Sequence, residues 1–103
     1  MKIVVTGIGI ISAIGCNKQE TLASIQAERS GVGAMRYLQS IHTHLPVGEV
    51  KMTDEALREA LNIPSHIAVG RTTLLGLAAA REALQDADIN DVSDMAFISG
   101  TTV

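Results

Sequence analysis

The chain has 103 residues and a formal net charge of −3, from 8 basic and 11 acidic side chains. That length allows one modest core, since folding at this size buries roughly 60 to 70 per cent of the extended chain's surface. The scattered basic residues exclude a phosphate-tracking stripe, the single Cys16 excludes an intrachain disulfide and a cysteine-based zinc site, and no apolar run reaches the roughly 20 residues of a membrane span.

The opening run Lys2-Ile3-Val4-Val5-Thr6-Gly7-Ile8-Gly9-Ile10-Ile11-Ser12-Ala13-Ile14-Gly15 is β-branched, glycine-punctuated and uncharged after Lys2. It predicts a strand buried on both faces, ending in a turn where backbone passes close to a neighbour. One lysine followed by glycines and Thr6 is not the form of a signal peptide, so a soluble cytoplasmic chain is expected. Asn17 then stands as an N-cap with Glu20 three residues later, as in a capping box, and a helix follows with Leu22 and Ile25 as its apolar stripe. Gly31 is read as its left-handed C-terminal residue.

Residues 34–51 hold no sustained period, and Pro46 and Gly48 interrupt them, so a surface excursion with short extended pieces is expected, chiefly over 45–50. Thr53-Asp54-Glu55 opens a second helix with acids in its first turn; Leu57, Ala60 and Leu61 form its apolar face, and Asn62-Ile63-Pro64 ends it. Residues 72–87 predict a third helix whose Leu and Ala residues cover most of its circumference, with Arg81, Glu82, Gln85 and Asp86 on the exposed edge. A helix of that kind asks for packing on more than one side. Residues 95–103 begin a second buried strand and stop without a polar tail, which reads as a cut through a larger α/β protein.

The groups that could carry chemistry have simpler readings. A dinucleotide fingerprint starting at Gly7-Ile8-Gly9 needs glycine where Ser12 stands, and the helix opens too late, so the glycines are read as close backbone packing. No Gly-Lys-Ser/Thr of a phosphate loop occurs. Cys16 precedes a helix N-terminus, which lowers a thiol pKa, but no base is placed beside it, and it is read as a small half-buried side chain. His42 and His44 can share one face of a strand, but with no third ligand they are read as loop histidines; His66 is placed at a helix start. Asp54 with Glu55, and Asp86 with Asp88, are read as helix-end and turn carboxylates rather than an acid/base pair.

Three stretches taken in order carry a family resemblance: residues 3–15, the helix with Ala79-Ala80-Arg81-Glu82-Ala83-Leu84-Gln85-Asp86-Ala87, and Phe97-Ile98-Ser99-Gly100-Thr101-Thr102. Together they resemble the N-terminal quarter of a β-ketoacyl-acyl-carrier-protein synthase, a condensing enzyme of the thiolase-like fold. Ala13 stands where the family commonly has proline, and 34–64 matches only loosely. The resemblance implies that residues 1–103 are the N-terminal part of the first half of an α/β, αβαβα layered protein, an incomplete domain. It implies an acyltransferase that joins acyl and malonyl thioesters by decarboxylative Claisen condensation in fatty acid or polyketide synthesis, with acyl carrier protein as partner, a homodimeric state and no cofactor. The family's nucleophilic cysteine and its two histidines, or histidine and asparagine, fall on no residue of this chain, and Cys16 is at the glycine turn. No catalytic, cofactor-binding or metal-binding residue is therefore assigned, and the chain alone is expected to be inactive. Two other classes stay open: an inactive partner of a ketosynthase of the chain-length-factor kind, and a small free-standing α/β interaction domain.

Overall fold

Capping side chains fix where the helices begin. In a computed structural model that describes residues 1–102, these are α1 (Lys18–Gln26), α2 (Asp54–Ala60) and α3 (Arg71–Asp86). At α1, Asn17 Oδ1 accepts the Glu20 amide at 2.8 Å, and the Glu20 carboxylate reaches back to the Cys16 amide at 2.7 Å. The reciprocal bond of a capping box is present, displaced by one residue. At α2, Thr53 Oγ1 accepts the Ala56 amide at 3.1 Å. Gly70 precedes α3 and supplies no side-chain cap.

All three helices end in the same way. Glu28, Asn62 and Asp88 take φ of 53°, 56° and 55°. Each donates its amide three residues back, to Ile25, Glu59 and Gln85, while the next amide (Arg29, Ile63, Ile89) reaches the carbonyl of Ser24, Arg58 or Leu84. That is the Schellman geometry, which satisfies the carbonyls a helix end leaves orphaned. The expectation for Gly31 is corrected here: Glu28 is the left-handed residue that ends α1. Gly31 is placed for a different reason, since a Cβ on it would lie 2.3 Å from the Ala13 carbonyl oxygen.

Helix α1 also buries a face other than the expected one. Leu22 and Ile25 are more than half exposed, whereas Thr21 and Ser24 are buried. Its partner is the tight turn at Ser12-Ala13-Ile14-Gly15, closed by paired bonds between the Ser12 and Gly15 backbones. Ser24 Oγ donates to the Ile14 carbonyl at 2.6 Å, and Gly15 sits so close to α1 that a Cβ would fall 2.5 Å from the Thr21 amide nitrogen. A turn of backbone polar groups wants small hydroxyl side chains opposite it, and the leucine side of α1 turns away.

Helix α2 packs on α3, and the fully buried apolar side chains, Leu57 and Leu74, come one from each. Arginines tie the surrounding loops: Arg71 bonds Asp54 at 2.7 Å and the Val50 carbonyl at 3.0 Å, Arg58 reaches the carbonyls of Ile67 and Val69, and Arg81 donates to Ala60 at 2.6 Å.

Among the described residues no strand ladder forms; the isolated antiparallel bridges are Ser12 with Gly15 and Gly33 with Val47. The run 3–11 and the described part of 95–103 are unpaired, Val103 lying outside the described residues, and their side chains are open: Ile3 is 88% exposed and Ile98 94%. The expected double-sided burial is absent, because a strand needs neighbours and none of the described segments supplies one. The molecule as a whole shows the same deficit. Its accessible surface is 8055 Å², against about 5,500 Å² for a compact monomer of this mass. Its radius of gyration is 15.5 Å, against about 13 Å for a compact chain of 100 residues.

Candidate functional site

Most of the chain's singular geometry lies where the glycine segment crosses α3. Ala79, Ala83 and Ala87 recur every four residues and form a ridge of small side chains along one face of the helix. Gly7 and Gly9 lie on it. A Cβ at Gly9 would come within 1.8 Å of the Ala79 carbonyl oxygen, and one at Gly7 within 2.2 Å of the Ala83 carbonyl oxygen. The glycines are there so that backbone can touch backbone, as the sequence reading expects.

Carboxylates of α3 then hold the segment by its amides. Ile8 donates to Asp86 at 3.0 Å and Ile10 to Glu82 at 2.9 Å, two residues apart like the carboxylates' own successive turns. The other Glu82 oxygen takes the Lys18 amide at 2.7 Å, and the Lys18 ammonium pairs with Asp86. Bonds from the Lys18 side chain and the Ile8 amide hold the Asp86 carboxyl below its ordinary pKa. Asp86 is exposed as expected and Glu82 half-buried, and from that edge both dock the start of the chain onto α3.

A cleft of about 660 Å³ opens between the start of α1, α2 and α3, lined by Cys16, Lys18, Leu57, Arg81, Glu82 and Asp86 among others. Its charges are committed to one another or to backbone: Lys18 to Asp86, Glu82 to two amides, Arg81 to Ala60. The surroundings of Cys16 disfavour its thiolate: burial pushes its pKa up and the neighbouring Glu20 carboxylate pushes it further. His42 and His44 stand edge to face, with ring centroids 6.2 Å apart. Among the described residues no three of His, Cys, Asp and Glu converge as metal ligands. No helix of the described chain is long and apolar enough to cross a membrane.

A second groove, of about 530 Å³, runs on the other side of α3. Leu77, Ala80 and Leu84 are among its floor residues, Thr6 and Gly7 stand on one lip, and Met95 and Phe97 on the other. It is apolar, and its two lips are the unpaired segments predicted as strands. The geometry of this part of the chain is that of close packing between the opening segment and α3.

Sequence comparison gives the chain its relatives. The chain is 36% identical over 95 aligned residues to 3-oxoacyl-[acyl-carrier-protein] synthase 1 of Haemophilus influenzae, the alignment covering 85% of this chain and 21% of that protein. It is 31% identical over 93 residues to the protein of the same name from Buchnera aphidicola subsp. Acyrthosiphon pisum, covering 86% of this chain and 21% of the relative. The chain thus spans about a fifth of the length of the curated relatives it matches. No protein-family model matches it, and no solved structure matches it significantly.

Proposed function

We propose that the chain is the N-terminal scaffold segment of a 3-oxoacyl-acyl-carrier-protein synthase of the thiolase-like αβαβα fold. The observation that carries this reading is the similarity to two such synthases along 85 and 86% of the chain. The geometry is compatible with it, because an extended glycine segment pressed on an alanine ridge, with apolar side chains left open, is what one inner layer looks like without the layers around it. In that role residues 3–11 and 95–102 are strands of a central sheet, and α3 is the helix packed inside. The whole enzyme condenses acyl and malonyl thioesters with loss of carbon dioxide, uses acyl carrier protein as partner and works as a cytoplasmic homodimer. Its nucleophile and its decarboxylation-promoting side chains come from other parts of the protein, and this chain contributes position.

A chimera tests the reading. The aligned stretch of this chain, 85% of its length, replaces its counterpart in the Haemophilus synthase, and release of labelled carbon dioxide from malonyl carrier protein is measured. The expected result is an active, folded chimera and no release by the 103-residue chain alone. A folded but inactive chimera, or condensing activity in the isolated chain, overturns the assignment.

A further inference from the structure

Between Glu28 and Asp54 the chain contains a single acidic residue, Glu49, and that residue is 3% exposed. A buried carboxylate has to be compensated by donors or it unfolds its surroundings. Here the donors are three consecutive backbone amides. The Arg36 amide lies 2.6 Å from one oxygen, and the Tyr37 and Leu38 amides lie 2.9 Å from the other. Successive amides aimed at one point form a concave anion site of the nest type.

The surrounding loop is built to the same end. Gly33 and Val47 pair through two backbone bonds of 2.8 and 3.0 Å, closing the neck of a loop over residues 33–47. Lys51 braces the neck from below, its ammonium donating to the carbonyls of Gly31 and of Glu49 itself. At the far end Leu45 bonds back to His42, and Ile41 is 89% exposed. Length and closed ends are those of an Ω-loop, whose residues pack on one another rather than on a sheet.

We propose that the amides of residues 36–38 form an anion site whose resident ligand is the Glu49 carboxylate, and that this pairing is the clasp that gives the 33–47 loop one conformation and fixes where its tip points. The contacts close over 11 to 13 residues, so the clasp is local and independent of the synthase assignment. Arg36, Tyr37 and Lys51 line a small cavity of about 170 Å³ with Glu49. Asp54, Glu55 and Arg71 line a neighbouring cavity of about 470 Å³ with residues 36–38; Asp54 pairs with Arg71 there, and the three amides bond Glu49. Burial opposes the charge, but the Leu38, Tyr37 and Arg36 amides and the Lys51 ammonium outweigh it and hold the Glu49 carboxyl below the ordinary range.

Amide hydrogen exchange on the full chain tests the clasp. In Glu49→Ala the amides of Arg36, Tyr37 and Leu38 exchange about tenfold faster or more, the loss expected for bonds to a charged acceptor. Exchange at Leu74 on α3 stays unchanged. Sodium formate, a carboxylate small enough to enter the vacated site, slows the three amides again in the variant and leaves the wild type alone. Wild-type rates in Glu49→Ala, or fast amides that formate does not slow, overturn the proposal. Should Glu49→Ala lose protection at Leu74 as well, the wild-type Glu49 carboxyl followed by carbon NMR decides. A midpoint below that of an ordinary glutamate supports the clasp, and one at or above it overturns it.

Discussion

Gly9 is the residue with least room. A methyl there would overlap the Ala79 carbonyl, which belongs to the backbone of α3 and has no rotamer to give. Gly9→Ala therefore has to lift the opening segment off the helix, at a cost of about 1–3 kcal/mol, the usual range for overpacking a tight contact. The expected signature is loss of the Ile8 and Ile10 amide bonds to Asp86 and Glu82, seen as faster exchange at those two amides. Gly33→Ala, where nothing stands within 4 Å of the new atom, leaves both unchanged. Asp86 adds a pH dependence with a definite sign. Its folded pKa is lowered by the bonds from Lys18 and Ile8, so its contribution is fully present above the unfolded aspartate range and is lost as pH falls through the folded value. The Ile8 amide shift should follow that titration, with a midpoint below an ordinary aspartate. Asp86→Asn should abolish the titration while the Glu82 bond to Ile10 remains.

At the level of elements, the helix ends carry strain that can be removed. Glu28 and Asp88 hold left-handed conformations in which a side chain is disfavoured by roughly 1–2 kcal/mol. Glycine there gives back part of that gain through its freer unfolded chain. Glu28→Gly and Asp88→Gly should each stabilise their helix by about 1 kcal/mol. Gly76 runs the other way: it lies inside α3 with open space where a Cβ would go, and Gly76→Ala should stabilise α3 by about 1 kcal/mol. Far-ultraviolet circular dichroism during thermal unfolding reads all three changes.

These ends also show what sequence can carry. The starts of α1 and α2 were legible because Asn17 and Thr53 act on amides within three residues, and the crossing of Gly7 and Gly9 was legible in kind because only close packing explains glycine in an apolar run. The end of α1 was misplaced because Gly31 offered a more ordinary left-handed residue than Glu28, and Gly31 was needed for the Ala13 turn. Hydrophobicity points to Leu22 and Ile25 as the buried face of α1, but the turn packed on the helix faces Ser24, which donates to the Ile14 carbonyl, and Thr21, whose hydroxyl is spent on the Asn17 carbonyl. Glu49 leaves one trace in the sequence: a lone acid between Val47 and Val50, in a stretch otherwise without acids.

For the whole molecule, the decisive quantity is uncovered surface. The excess of about 2,500 Å² over a compact monomer falls within the range that obligate interfaces bury, and it is concentrated where apolar side chains are open. Ile3 and Val5 are 88 and 80% exposed in the first segment, and Phe97 and Ile98 are 75 and 94% exposed in the last. Exposed apolar segments with unpaired amides and carbonyls are templates for pairing with another chain. The 103-residue chain in isolation should therefore associate. Sedimentation velocity should show mass rising with concentration, and thermal unfolding should be broad. Replacing Ile3 and Ile98 with lysine should shift the chain toward monomer while leaving α3 helicity in place, because neither residue belongs to a helix. If the rest of the synthase covers the first segment in the chimera, Ile3→Lys there should lower soluble yield and activity instead. A concentration-independent monomer with one sharp, cooperative transition would mean that the exposed faces need no cover. It would favour the free-standing interaction domain over the synthase scaffold.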